Sequence, residues 1–439
     1  MANAFNPFRP GDPVRPDMFV GRQRELKKLE KKLFQTLRKN PQSFIIQGER
    51  GIGKSSLLLY LSRVARGSVK PILYRNKFSF LCISVSLGGC KSQLQIVQRI
   101  AKGIKSQLLR KKDSVAVFGK FWDFLTNWEI LGVKYTPNDT SPDALMAMQD
   151  LMQKLDSFLS RVDGIDGAVI LIDEAHRAPS SAGLGELIKE TAEFMSNEDY
   201  MNIVFGLAGL PQLIDILRES HPSSPRKFDV IPLGTLDFDS RDDVLSKGIA
   251  RSNLSSSTKL SINPTALEFL CDLSEGYPHF LQQFAFSAFE ANEDDVIDMD
   301  DVIVGTYGED GAMDQLGQKY FNEMYEKQIL SDNYRLVLDT MAEHGDEWSK
   351  KVDITSESQL EEHIVTSALK RLRQLKTIQY DDSRQGYYRL PTKSFAAWIR
   401  ANSKMRKEEL VMEYPEISED ELREKFEADR LASSYRKWF

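Results

Sequence analysis

Gly48-Glu49-Arg50-Gly51-Ile52-Gly53-Lys54-Ser55 is the stretch that decides the fold. It spells G-x-x-x-x-G-K-S, the pattern of a phosphate-binding loop. Ser43-Phe44-Ile45-Ile46-Gln47 precedes it and reads as a short buried strand. Ser56-Leu57-Leu58-Leu59-Tyr60-Leu61 follows and reads as the opening of a helix. Strand, glycine-rich turn and helix, in that order, are the context the pattern needs.

The spacing has a physical reason. Glycines let the chain wrap a triphosphate and aim successive N–H groups inward. The helix N-terminus adds partial positive charge at the same point. Lys54 can reach the β- and γ-phosphates, and the Ser55 hydroxyl can coordinate Mg²⁺. Gly48, Gly51, Ile52, Gly53, Lys54, Ser55 and Ser56 are therefore the expected triphosphate-binding residues of the loop.

Ile170-Leu171-Ile172-Asp173-Glu174-Ala175-His176 supplies the second half of the chemistry, about 120 residues downstream. A buried strand ending in Asp-Glu places two carboxylates at the edge of a parallel sheet where ligands bind. Asp173 is the expected Mg²⁺ ligand beside Ser55, directly or through water. Glu174 is the expected catalytic group that orients or deprotonates the attacking water, with Lys54 on the phosphates.

Composition sets the class. With 439 residues the chain exceeds one ordinary core, so two or three domains are expected. It is 41% apolar and 28% charged, as soluble globular proteins are. No apolar run approaches the ~18 residues of a membrane span. Met1-Ala2-Asn3-Ala4-Phe5-Asn6-Pro7 has no signal-peptide pattern, so a cytoplasmic protein without a membrane partner is expected. Cys82, Cys90 and Cys271 show no metal or redox spacing. The net charge of −6 does not predict nucleic-acid binding, so any DNA contact needs a local basic patch.

Phe80–Val85, Gly167–Ile172, Met201–Leu207 and Phe228–Leu233 read as further strands, separated by helical stripes such as Gln23–Leu37 and 91–110. The continuous apolar run at Gly167–Ile172 suits a strand buried on both faces. The alternation predicts an α/β fold with a parallel sheet. Residues 111–141 are the least regular stretch.

Phe19-Val20-Gly21-Arg22-Gln23-Arg24-Glu25-Leu26 resembles the F-x-G-R-x-x-E-L box of AAA+ and STAND-type ATPases, as does Asn6-Pro7-Phe8-Arg9-Pro10. Glu275-Gly276-Tyr277-Pro278-His279-Phe280-Leu281-Gln282-Gln283 is similar to the G-x-P box of STAND and origin-recognition-like ATPases. The resemblance implies that Phe19 and Val20 border the adenine, and that Pro278 and His279 lie beside the nucleotide in a helical lid. Two departures stand out. Leu207-Ala208-Gly209-Leu210 offers no polar side chain where many AAA+ proteins have a sensor, with Asn202 at the strand's start instead. His279 takes the place nearest the usual lid arginine, and also reads as an amphipathic residue opening a helix. These departures leave ATP binding in place and point to slow hydrolysis.

Arg226 resembles the trans-acting arginine finger of AAA+ rings, with Arg218 as rival. Both also read as ordinary surface arginines. A finger at Arg226 implies a homo-oligomer.

At the C-terminal end, 331–346 and 357–376 carry helical stripes, the second with Leu360, Ile364, Ala368, Leu369, Leu372 and Leu375. Thr377–Tyr380 and Tyr387–Leu390 flank a polar turn and read as a hairpin. Phe395-Ala396-Ala397-Trp398-Ile399 follows. This plan resembles the winged helix behind the lid of origin-recognition-like ATPases. Lys370, Arg371, Arg373 and Lys376 would face double-stranded DNA, with Arg384, Tyr387 and Arg389 on the wing. Four neutralised phosphates would give a salt slope of roughly −3.6. Asp381 and Asp382 subtract from that attraction. The same basic face also reads as a solvated or protein-docking surface.

The expected organisation is 1–237 for the N-terminal segment and ATPase core, 238–310 for the helical lid, 311–402 for the winged helix and 403–439 for a charged tail. Two functions fit. One is an ATP-driven switch that oligomerises and engages DNA or a partner, as in mobile-element, replication or anti-phage systems. The other is a nucleotide-gated subunit with negligible turnover that recruits a separate effector protein. No nuclease, protease or deaminase motif appears in the chain.

Overall fold

The computed structural model describes residues 5–109, 144–254, 259–308, 310–345 and 347–402. The irregular stretch at 111–141 and the charged tail at 403–439 lie outside the described residues. The described residues fall into two compact units: those of 5–272 with 276–299, and those of 273–275 with 300–402.

The first unit is built on a five-stranded sheet. Its strands are β1 (Phe44–Gln47), β2 (Phe80–Ser86), β3 (Gly167–Asp173), β4 (Ile203–Gly209) and β5 (Asp229–Pro232). They run in the order β2-β3-β4-β1-β5, and every pairing is parallel. Parallel pairing requires a crossover between strands, and helices supply it. These are α2 (Lys54–Ala65), α3 (Gln93–Leu109), α4 (Ala144–Leu159), α5 (Leu184–Asn197) and α6 (Leu213–Ser220), with α1 (Gln23–Leu37) ahead of β1.

The apolar strands read from the sequence have this cause: both faces of the sheet are covered. Ile45, Ile170, Ile172, Phe205 and Leu207 pack on one side with the buried stripes of α3, α4, α5 and α6. Phe44, Ile46, Val169, Leu171, Val204 and Ala208 pack on the other with Leu26, Leu29 and Leu33 of α1 and Leu57, Leu58 and Leu61 of α2. Each fully buried leucine or isoleucine contributes about 1.5–3 kcal/mol by leaving water.

Three more helices belong to this unit: α7 (Phe238–Asn253), α8 (Pro264–Leu273) and α9 (Pro278–Ala291). Asp237 starts α7 by accepting the Ser240 N–H at 2.9 Å. Two short strands, β6 (Ser261–Ile262) and β7 (Val296–Ile297), pair in parallel.

The second unit contains α10 (Met299–Tyr307), α11 (Ala312–Leu316), α12 (Asp332–Glu343), α13 (Lys351–Ser358), α14 (Glu362–Gln374) and α15 (Lys393–Asn402). Its strands β8 (Ser349–Lys350), β9 (Gln379–Tyr380) and β10 (Tyr387–Arg389) form an antiparallel sheet in the order β8-β10-β9. The stripe of α14 buries Val365, Ala368, Leu369 and Leu372. Trp398 packs 5.5 Å from Phe321, and Tyr325 meets it edge-on at 5.3 Å. The hairpin expected around residues 381–386 is present. The third strand, β8, is two residues long, too short to show alternation in the sequence. Among the described residues, no helix is long and apolar enough to cross a membrane.

Candidate nucleotide site

Parallel register brings the chemistry to one edge. Gln47 of β1 lies beside Gly209 of β4, Leu207 of β4 beside Ile172 of β3, and Asp173 beside Ser86 of β2. The loop after β1 and the carboxylates after β3 therefore share the C-terminal edge of the sheet, where α/β folds bind ligands.

The loop is tied to that edge. Gly48 donates its N–H to the Gly209 carbonyl at 3.2 Å. A Cβ on Gly48 would stand 2.8 Å from Ile52 Cγ2 and 3.1 Å from the Leu233 carbonyl, so only glycine lets the turn close. Gly53 precedes α2 with φ at +96°, a conformation that costs other residues. It offers no side chain to cap the helix, so the first-turn N–H groups of Lys54, Ser55 and Ser56 face an incoming anion.

Lys54 Nζ donates to the carbonyls of Gly48 at 2.9 Å and Glu49 at 2.7 Å. Burial pushes its ammonium pKa down, while the charges of Asp173, Glu49 and Glu174 oppose that shift. Lysine and both acids thus lie within electrostatic reach of one another.

Asp173 ends β3, and its Oδ1 accepts the Glu174 N–H at 2.8 Å. Glu174 sits at φ 50°, ψ 35°, a left-handed conformation that costs a non-glycine residue roughly 1–2 kcal/mol. The turn throws its side chain outward, where Oε2 accepts from Arg177 Nη1 at 2.7 Å. His176 Nδ1 accepts the Leu210 N–H at 3.4 Å, immediately after β4. Burial and the charge of Lys54 push the imidazole pKa down; Glu174 and Asp173 oppose the shift and Arg177 adds to it. The polar group at the end of β4 is therefore an imidazole lent by the β3 turn. Sequence reading missed His176 and Arg177, although both follow Glu174 in one short turn.

The flanking boxes converge on the loop as well. Phe19 packs on Tyr60 of α2 at 4.9 Å between ring centroids, and Val20 beside it is half-buried. Arg22 donates from Nη2 to the Ile52 carbonyl at 3.1 Å, a contact the sequence reading did not foresee. Burial lowers its guanidinium pKa, with Glu25 and Asp237 opposing. Ser56 Oγ accepts the Val14 N–H at 3.2 Å and ties the N-terminal segment to α2. Pro278 and His279 open α9. The His279 N–H donates to the Gly51 carbonyl at 3.2 Å, and a Cβ on Gly53 would lie 3.7 Å from Pro278 Cγ.

Arg226 stands apart. It is exposed in the turn Ser224–Lys227 ahead of β5, at the opposite edge of the sheet from the phosphate loop. Arg218 is exposed on α6 and pairs with Asp215 at 2.6 Å. Lys370, Arg371, Arg373 and Lys376 are exposed on or just after α14 in the second unit.

The donors suit a triphosphate with Mg²⁺. Among the described residues, no three His, Cys, Asp or Glu side chains cluster to hold a metal alone. Ser55 and Asp173 instead offer a hydroxyl and a carboxylate, the oxygen ligands that Mg²⁺ combines with phosphate oxygens and waters.

Residues 18–192 match the family described as AAA ATPase domain. The chain carries an AAA ATPase domain. That interval runs from the Phe19–Leu26 box through the phosphate loop to Asp173 and Glu174, so the P-loop chemistry is that of an ATPase. The ORC2 protein of Aeropyrum pernix, solved in ADPNP–ADP complexes, is 17% identical; the alignment covers 90% of this chain and 98% of that one, with a TM-score of 0.50. The ORC1 protein of the same organism, solved in complex with DNA, is 15% identical over 90% and 95%, with a TM-score of 0.44. Likeness to the first at this level shows a shared fold around the ATPase domain. No curated protein matches the sequence.

Proposed function

We propose that the chain is an ATP-driven switch of AAA+/STAND type with slow hydrolysis. One observation carries this reading. Lys54, Asp173 and Glu174 lie within electrostatic reach at one sheet edge, and α9 is bonded to the same loop through His279.

The geometry supports the following roles. The first-turn N–H groups of α2 and Lys54 bind the β- and γ-phosphates. Ser55 and Asp173 would hold Mg²⁺, which would neutralise phosphate charge when bound. Glu174 accepts the proton of the attacking water once it leaves Arg177. Phe19, Val20 and Pro278 border the base. The His279–Gly51 bond links the loop's state to the helices of 238–310, the proposed lid. Residues 311–402 are read as a winged helix, whose element order the helices and three-stranded sheet of the second unit support. Lys370, Arg371, Arg373 and Lys376 would engage double-stranded DNA or a partner. Arg226, far from its own loop, would serve a neighbour's ATP in a homo-oligomer. The setting we infer is cytoplasmic, in mobile-element, replication or anti-phage systems.

The pairing of Glu174 with Arg177 favours a second reading, a nucleotide-gated subunit that turns over negligibly and recruits an effector. Glu174→Gln tests the first. It should bind ATP like the wild type and lose phosphate release; wild-type turnover would remove Glu174 from its role. DNA-stimulated turnover favours the switch, and indifference to DNA favours the recruiting subunit.

A further inference from the structure

The antiparallel sheet of the second unit carries a second surface, distinct from the basic face of α14. Strand alternation puts Tyr387 and Arg389 of β10 on one side, with Lys350 of β8 opposite Tyr387. Tyr388 points the other way, against Tyr380 at 5.2 Å. On the first side the groups form a ladder. The Arg384 guanidinium lies 4.6 Å from the Tyr387 ring and 5.8 Å from the Trp348 ring. The Arg389 guanidinium lies 4.6 Å over Trp348, and Lys350 Nζ lies 5.8 Å over Tyr387. Rings and cations alternate across the face: Lys350, Tyr387, Arg384, Trp348, Arg389.

We propose that this ladder binds single-stranded nucleic acid, with unpaired bases stacking on its flat groups and the cations meeting phosphates. Arg384 is half-neutralised already, since its Nε donates to Asp381 Oδ2 at 2.6 Å. Among the described residues, the uncompensated charge is that of Lys350 and of Arg389, whose Nε is aimed by Gln379 Oε1 at 2.8 Å. Charge alone would suit any polyanion. The alternation with rings does not: aromatic faces and guanidinium planes take bases whose own faces are free, which a duplex does not offer. An acidic peptide would use the cations and leave Trp348 and Tyr387 idle. Two phosphate contacts on a single strand give a salt slope of roughly −1.4, shallower than a charge-driven surface would show. The proposal goes beyond the nucleotide switch and stands even if the α14 face binds nothing.

The test is fluorescence anisotropy of a labelled mixed-sequence strand of about 15 nucleotides, the scale of one such site, with the full chain. Trp348→Ala and Tyr387→Ala should each weaken binding roughly 5- to 150-fold, the range of one lost stacking contact. Trp348→Phe should restore most of it. Lys27→Ala with Lys28→Ala, exposed on α1 of the first unit, should leave single-strand binding unchanged. Blunt duplex of the same sequence and polyglutamate should compete poorly. Should Trp348→Ala lower the melting midpoint, Tyr387→Ala and Arg389→Gln carry the test. Ring variants that bind like the wild type, or duplex or polyglutamate competing as well as single strand, would overturn the proposal.

Discussion

Arg177→Met asks whether Glu174 is restrained in the resting enzyme. The ion pair is short, 2.7 Å from Nη1 to Oε2, but its side chains are 56% and 45% exposed. Pairs this open to water contribute about 0.2–1 kcal/mol. At 1.4 kcal/mol per tenfold, the carboxylate is held back by roughly 1.4- to 5-fold and no more. If Glu174 must leave Arg177 before it accepts the water's proton, removing the guanidinium raises turnover by that factor. ATP affinity should not move, because Arg177 is not among the groups proposed to hold phosphates. Steady-state phosphate release at saturating ATP measures the first quantity, and equilibrium titration the second. Arg177→Lys keeps a cation in place and should show a smaller rise. A tenfold or greater fall in turnover at unchanged affinity would refute the reasoning: Arg177 would then assist the reaction rather than restrain it.

The fold makes its own predictions. Glu30 is fully buried and accepts the N–H groups of Ile72 at 2.7 Å and Leu73 at 2.8 Å. Glu30→Ala orphans both donors and should cost about 2–4 kcal/mol, read as a lower urea midpoint; an unchanged midpoint would show that water replaces the carboxylate at no cost. Burial pushes the thiol of Cys82 up to about 11 and that of Cys271 up to about 12. Both values are raised, so the folded state holds its proton more tightly than the unfolded chain, whose thiols titrate near ~8.5. The resulting stability is complete below that range and is lost as pH rises through the folded values. Maleimide at pH 8 should leave both thiols unlabelled in the native chain, as mass spectrometry would show, and melting midpoints should fall in alkaline buffer. Rapid native labelling would contradict their burial.

The site was legible where chemistry fixes spacing along the chain. A triphosphate demands Gly48, Gly53, Lys54 and Ser55 in one turn, and buried strand β3 announces Asp173 by ending in charge. The strands were legible too, because a sheet covered on both faces imposes unbroken apolar runs. Strand order was not: β1 lies between β4 and β5, a pairing set by contacts more than 150 residues apart along the chain. Arg22 and His176 were missed for the same reason: each acts through the tertiary fold, on Ile52 and Leu210. Arg177 acts locally, three residues from Glu174, where only the left-handed turn at Glu174 brings the two side chains together. Gly209 read as a lost polar group, while the imidazole that reaches that strand end comes from another strand. Trp348 carried no signal because its neighbours on the sheet face, Arg384 and Arg389, lie 36 and 41 positions away.

The central claim is that phosphates are gripped by the loop at residues 48–55 and by Lys54 above all. Calorimetric titration of Mg²⁺–ATP into the wild type and Lys54→Ala, both checked for folding, tests it most directly. The account predicts saturable binding by the wild type and its loss or severe weakening in the variant. Equal affinity in the two would contradict it.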